Sequence, residues 1–179
     1  TPIRVKNVFE PDQPGTTIDH DYISEKPRAD IICGRDDVVA IEVTDPEMVG
    51  SSGYDYRLLG YLHENNISYI AKSTNANTIT HIIPEKTNDI ESIVDTLRKQ
   101  FPGSRVNSKP VAIVSVIGSN MKEPGFLGKA ADALCNAKIN VLAAEQTMQE
   151  VNMQFVIERT DFDSAQFALH KAFIEDLEE

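Results

Sequence analysis

Two short loops in this chain combine the residue types that a small zwitterion needs. Met48 to Gly53, with Ser51 and Ser52 just ahead of the glycine, runs directly into a helical pattern at Tyr54. Asn120 to Gly125 does the same ahead of Phe126. A helix N-terminus carries unpaired N–H groups and partial positive charge, which suits a carboxylate. Gly53 and Gly125 remove a Cβ where a ligand backbone would approach closely. The strand pair beside each loop can supply side chains that read the rest of the ligand. The alternative for the same glycines is a tight strand-to-helix turn that binds nothing.

The elements around these loops occur twice. Val39-Ala40-Ile41-Glu42-Val43 leads through Gly53 and a helix to Asn66-Ile67-Ser68. Ala112-Ile113-Val114-Ser115-Val116 leads through Gly125 and a helix to Lys138-Ile139-Asn140. Ile41 and Ile113, Gly53 and Gly125, and Ile67 and Ile139 are each 72 residues apart. A long strand–loop–helix–strand repeat means two copies of one small module, with an interface between similar surfaces.

Residues 1–28 read as an extended tail, because Pro2, Pro11, Pro14, Gly15 and Pro27 break any helix. A strand is predicted over Val38 to Val43, then a helix with Tyr54, Leu58 and Leu62 on one face and Leu59 beside them. Ile67 to Ser73 and Thr78 to Ile83 are predicted strands joined by a turn at Thr74-Asn75-Ala76-Asn77. Asn88 or Asp89 caps the next helix, whose Ile90, Ile93, Val94, Leu97 and Phe101 keep helical spacing. Arg105 to Asn107 is a short strand, and Pro110 separates it from the second copy. Val111 to Ile117 is nearly all apolar and belongs in mid-sheet. Leu127, Ala130, Ala131, Leu134 and Cys135 mark one face of the helix that starts near Gly125. Ile139 to Gln146 and Met153 to Glu158 are strands. A last helix carries Ala165, Ala168, Leu169, Ala172 and Phe173, with Asp161 or Asp163 at its N-cap, before an acidic end at Glu175 to Glu179.

The fold class is therefore α+β: two ferredoxin-like βαββαβ units, antiparallel sheets with both helices on one face. The second unit lacks a fourth strand, and Ala29-Asp30-Ile31-Ile32-Cys33 is the unassigned apolar run that can supply it. The expected domains are 34–108, and 29–33 together with 109–179.

Composition narrows the function classes. The chain has 179 residues, 41% of them hydrophobic, which is enough for real cores. A net charge of −11 argues against nucleic acid or an anionic membrane surface as partner. No apolar run approaches the roughly 18 residues of a membrane-spanning helix. Beginning at Thr1 without a signal-like segment, the chain is expected to be a fragment of a longer protein. Cys33 and Cys135 are isolated and read as free, buried thiols of a cytoplasmic protein. Asp36-Asp37 is read as a solvated turn. Lys72 interrupts an apolar strand; it reaches an anionic ligand or an acid, or else it marks a sheet edge. His20, His63, His81 and His170 share no metal-ligand spacing.

The two units resemble ACT domains, and the chain resembles the C-terminal regulatory half of aspartate kinase. Thr1-Pro2-Ile3-Arg4-Val5-Lys6-Asn7 with Pro14-Gly15-Thr16 is similar to the end of that family's kinase domain. Val116-Ile117-Gly118-x-x-Met121, Pro124-Gly125-Phe126, Ala133-Leu134, Ile139-Asn140-Val141 and Gln146 are similar to its second ACT unit, continued by Asn152-Met153-Gln154-Phe155-Val156 and Ala168-Leu169-His170-x-x-Phe173. The resemblance implies a parent enzyme that phosphorylates the β-carboxylate of L-aspartate with ATP and magnesium, in the route to lysine, threonine and methionine. It implies that this part senses an amino-acid end product and forms a homodimer. No lysine-bearing Gly-rich phosphate loop is present, so the fragment is expected to be inactive alone and to hold no cofactor. A bifunctional kinase–homoserine dehydrogenase parent, or a dimerisation scaffold that has lost its effector, are the alternatives.

By the same resemblance the effector pocket maps onto Met48, Ser51, Ser52, Gly53, Tyr54 and Asp55, then Tyr69 and Ile70, then Asn75, Ala76 and Asn77. Lysine-sensing members resemble one another in carrying acids where this chain has Ile70 and Ala76. A buried ammonium without a carboxylate costs several kcal/mol, so lysine is a poor fit, and threonine or another amino acid stays open. In the second unit, Asn120, Met121, Gly125, Phe126, Gln146 and Asn152 are the matching interface positions. Gln146 and Asn152 are alternatively a pair that fixes strand register, and Met121 and Met153 alternatively core.

Overall fold

The computed structural model describes residues 2–19, 23–86 and 89–175. An exposed two-stranded ribbon comes first: β1 (Ile3–Val5) pairs antiparallel with β2 (Thr16–Ile18). The tail is thus a hairpin rather than a single extended run. Every other strand joins one antiparallel sheet of six, in the order β4-β5-β3-β6-β8-β7.

Two long strands weld the halves of that sheet. β3 (Arg28–Thr44) joins the predicted crossing strand Ala29–Cys33 to Val38–Val43 as one element, and β6 (Arg105–Ser119) likewise runs from Arg105 through Val111–Ile117. Their pairing extends from Arg28↔Ser119 to Thr44↔Arg105, with register shifts between Ala29 and Ile31 and between Arg35 and Val38. Asp36 and Asp37 therefore sit at an irregularity inside a strand instead of a turn, and Arg35 holds Asp37 across it. Pro110 does not separate two strands. It pairs with Val39, one residue before the β6–β8 ladder opens at Val111. There β6 has a neighbour on one side only, so a missing N–H is tolerated.

Each half keeps the βαββαβ plan. In the first, the C-terminal part of β3 is followed by α1 (Tyr54–Glu64), β4 (Ala71–Thr74), β5 (Thr78–Pro84), α2 (Ile90–Gln100) and the start of β6. In the second, the end of β6 is followed by α3 (Phe126–Asn136), β7 (Val141–Gln146), β8 (Asn152–Glu158) and α4 (Phe162–His170), and the N-terminal part of β3 supplies the remaining strand. A π-helical turn, Lys171–Glu175, continues α4 and buries Phe173. Residues 176–179 of the acidic end lie outside the described residues, as does Asn88; Asp89 caps α2 by accepting the Ser92 N–H at 3.1 Å. Asp161 precedes α4 without a side-chain capping bond.

Alternation along the strands sorts residues onto two faces. Val39, Ile41, Val43, Ile79 and Ile83 meet Leu58, Leu62, Ile93, Val94 and Leu97 of α1 and α2 in one core. Ala112, Val114, Val116, Met153, Phe155 and Ile157 meet Ala130, Leu134, Ala165, Leu169 and Phe173 in the other. Each fully buried Leu or Ile contributes roughly 1.5–3 kcal/mol. The opposite face carries a smaller cluster of Val38, Ile82, Val111, Ile113 and Val156.

Three local expectations shift. Ile67 and Ile139 are buried but precede their strands, since each donates its N–H back to the end of the preceding helix, to Leu62 and Leu134. The core stripe of α3 is Phe126, Ala130, Ala133 and Leu134, while Leu127, Ala131 and Cys135 face out. Stacking of Phe126 on Phe173, with centroids 5.9 Å apart, sets that rotation. Cys135 is accordingly exposed rather than buried, and Cys33 half-buried.

Candidate functional site

The repeat reaches into the backbone. Gly53 and Gly125 both have left-handed φ, 76° and 111°, directly before helices of 11 residues. Asn66 and Lys138, again 72 residues apart, are left-handed too. Neither glycine supplies a side-chain cap, so the first-turn N–H groups of α1 and α3 have no capping side chain.

In the first half, Asp45 organises the loop. Its Oδ1 accepts the Glu47 N–H at 2.9 Å, its Oδ2 accepts the Tyr54 hydroxyl at 2.9 Å, and its own N–H donates to the Asn77 carbonyl at 2.9 Å. The buried carboxylate thus fastens the Pro46–Met48 turn to the start of α1, and the backbone N–H of the same residue ties both to the β4–β5 turn. Asp45 is a site-organising residue not among those expected above, and its signal in the linear chain is an Asp directly before Pro-Glu, a capping pattern. Met48 and Tyr54 belong to the core rather than to an open surface. The Tyr54 ring lies 5.1 Å from Phe101, and burial with the Asp45 bond pushes its hydroxyl up to about 12. Ser51, Ser52, Gly53, Tyr69, Ile70, Asn75, Ala76 and Asn77 are exposed, and Asp55 is half-buried. Asn75 closes its turn by donating its N–H to the Thr78 carbonyl and accepting the Asn77 N–H on its side chain.

Beneath Tyr69 lies a polar group. Lys72 on the edge strand β4 pairs in register with His81 on β5, and its ammonium forms an ion pair with Asp55 Oδ2 on α1. The lysine thus marks a sheet edge and also reaches an acid. His81 is 2% exposed, and the Tyr69 ring meets it edge-on at 5.2 Å. Burial, reinforced by the Lys72 cation, holds its imidazole down at about 4. Asp55 Oδ1 and His81 Nε2 are buried with no hydrogen-bond partner among the described residues. Nothing in the linear sequence signalled that Asp55, Lys72 and His81 meet, because they come from three elements.

The second-half residues are spent differently. Met121 and Met153 are core. Asn120 Nδ2 donates to the carbonyls of Ser24 and Glu25, at 3.2 and 3.5 Å, tying down the segment ahead of β3. Gln146 Nε2 donates to the Met121 carbonyl at 3.5 Å, and the Asn152 amide oxygen meets the Thr147 hydroxyl at 3.0 Å. Gln146 and Asn152 therefore do not bond one another. Gly125 and Phe126 line a cavity of about 230 Å³ with Arg28, Glu123, Lys129 and Phe173. A larger cavity, about 500 Å³, opens on the helix-free face where the halves meet, between Glu42 and Lys109 over Ile82, Val111 and Val156. None of the first-half candidate residues lines it.

Residues 114–173 match the ACT domain model. The chain is 40% identical over 173 residues to the aspartate kinase Ask_Ect of Stutzerimonas stutzeri (strain A1501), covering 97% of this chain and 36% of that protein. The chain thus spans about a third of the length of that relative. In fold it is similar to the Clostridium acetobutylicum aspartate kinase, with a TM-score of 0.84 at 23% identity over 96% of this chain and 41% of that one. It is also similar to E. coli aspartokinase III, solved in complex with lysine and aspartate, with a TM-score of 0.73 at 18% identity over 97% of this chain and 39% of that one. Along nearly its whole length, then, the chain resembles a part of aspartate kinases, and its residues 114–173 match an ACT domain.

Proposed function

We propose that this chain is the amino-acid-sensing, self-associating regulatory part of an aspartate kinase, whose catalytic part phosphorylates L-aspartate with ATP and magnesium in the cytoplasm. The observation that carries this reading is the duplicated glycine-started helix. At Gly53 it presents uncapped N–H groups for a carboxylate, a few residues from the polar floor of Asp55, Lys72 and His81. An amino acid lying across Tyr69 and Ile70 would meet both ends of that arrangement. Val49 and Tyr56, the latter 80% exposed, border the site and suit coverage by a second copy. The free edges of β4 and β7 suit the same association. An effector that favours one arrangement of the dimer would bias the attached kinase domains, with a coupling typically of about 1–3 kcal/mol.

Calorimetric titration of the chain with threonine, lysine and neutral amino acids tests the sensing role, read beside sedimentation with and without ligand. Saturable binding of an amino acid that is lost on Gly53→Val supports the reading. No heat with any amino acid, or binding indifferent to Gly53, refutes it. ATP-dependent aspartyl phosphate formation by this chain alone would refute the division of labour.

A further inference from the structure

One lysine side chain of the protein is itself part of the surface read above as an amino-acid site. Lys72 extends from the edge strand and delivers a primary ammonium on a four-carbon stem to Asp55 Oδ2. Of the acids close by, Asp45 is committed to Glu47 and Tyr54, and positions 70 and 76 are Ile and Ala. Asp55 does receive a cation, and Lys72 supplies it. The pair is partly withdrawn from water, the lysine side chain being 23% exposed and the aspartate 40%. Behind it stands the buried His81, whose Nε2 is unpartnered, as is the second Asp55 oxygen.

We infer that Lys72 is a built-in occupant of this site: its ammonium fills the cation subsite from within the chain, so the site rejects amino acids with cationic side chains and admits those with small uncharged ones. A free amine must compete with a tethered one, whose effective concentration is on the order of millimolar or higher. A second ammonium brought beside Lys72 would also meet like charge with one carboxylate to share. The unpaired Asp55 Oδ1 and His81 Nε2 remain for a neutral group, such as a hydroxyl, that both donates and accepts. The selectivity rests on the reading of this surface as an amino-acid site; the occupancy itself does not need one.

The test is chemical replacement. Lys72→Ala removes a propylammonium equivalent, so n-propylammonium should raise the unfolding midpoint of Lys72→Ala by roughly 2–4 °C at saturation. It should leave the parent chain, and Lys72→Ala combined with Asp55→Asn, within error of a sodium chloride control of equal ionic strength. L-Lysine should bind Lys72→Ala at least ~10-fold more tightly than the parent chain, a difference of about 1.4 kcal/mol. Equal response of the parent chain and Lys72→Ala to n-propylammonium overturns the inference. Response to n-propylammonium without any gain for lysine upholds the built-in occupant and counts against the amino-acid site. If Lys72→Ala does not fold, amine acylation read by mass spectrometry decides: Lys72 should label at least ~10-fold faster in Asp55→Asn than in the parent chain, and equal rates overturn the inference.

Discussion

Acid should loosen this fold through one residue. His81 sits 2% exposed between Tyr69 and Lys72, and its imidazole is held down at about 4 by burial first and the Lys72 cation second. In the unfolded chain the same ring takes its proton near 6.5. Between those values the unfolded state binds a proton that the folded state refuses, so stability falls as pH drops from about 6.5 to about 4 and levels off below. The separation corresponds to about 3 kcal/mol, most of it lost by pH 4.5. For a chain of this size that lowers the unfolding midpoint by about 6–12 °C. The assay is thermal unfolding followed by tyrosine near-ultraviolet signals at pH 7.5, 6.5, 5.5 and 4.5, for the parent chain and His81→Leu. The variant fills the same space without a titrating group, and its midpoint should fall much less over this range. Parallel curves for the two proteins would refute the reasoning, as would an NMR titration showing His81 protonating near 6.5.

Other expectations follow from close approaches and buried bonds. A Cβ at Gly118 would lie 2.0 Å from the Arg28 carbonyl oxygen, so Gly118→Ala must push β3 and β6 apart and should cost at least about 2 kcal/mol in urea unfolding. Gly60, inside α1 with nothing within 4 Å of an added Cβ, should gain about 1 kcal/mol on Gly60→Ala in the same assay. Tyr54→Phe strands Asp45 Oδ2, and calorimetric unfolding should register a loss of about 1–3 kcal/mol. A neutral result there would mean that Asp45 does not tie the loop to the helix.

How far the sequence could be read depended on the range of the interaction. The 72-residue offset exposed the modules because each copy must make the same strand-to-helix turn, and Gly53 and Gly125 do adopt the left-handed backbone which that turn requires. Helical spacing identified the buried stripe of α2 correctly, since a two-sided helix leaves one solution. It failed on α3, whose alanines fit several rotations until Phe173 fixes one. Pro110 misled for a similar reason. A proline ends a strand that is paired on both sides, and only the sheet order shows that β6 is open on one side there.

Local chemistry thus belonged to the linear chain: where strands and helices lie, that they repeat, and that the segment before the first unit completes the second. The meeting of Asp55, Lys72 and His81 belonged to the folded one. Strand register brings Lys72 beside His81, and packing of α1 on the sheet brings Asp55 to both. Burial then removes the water that would have made three ordinary side chains independent of each other.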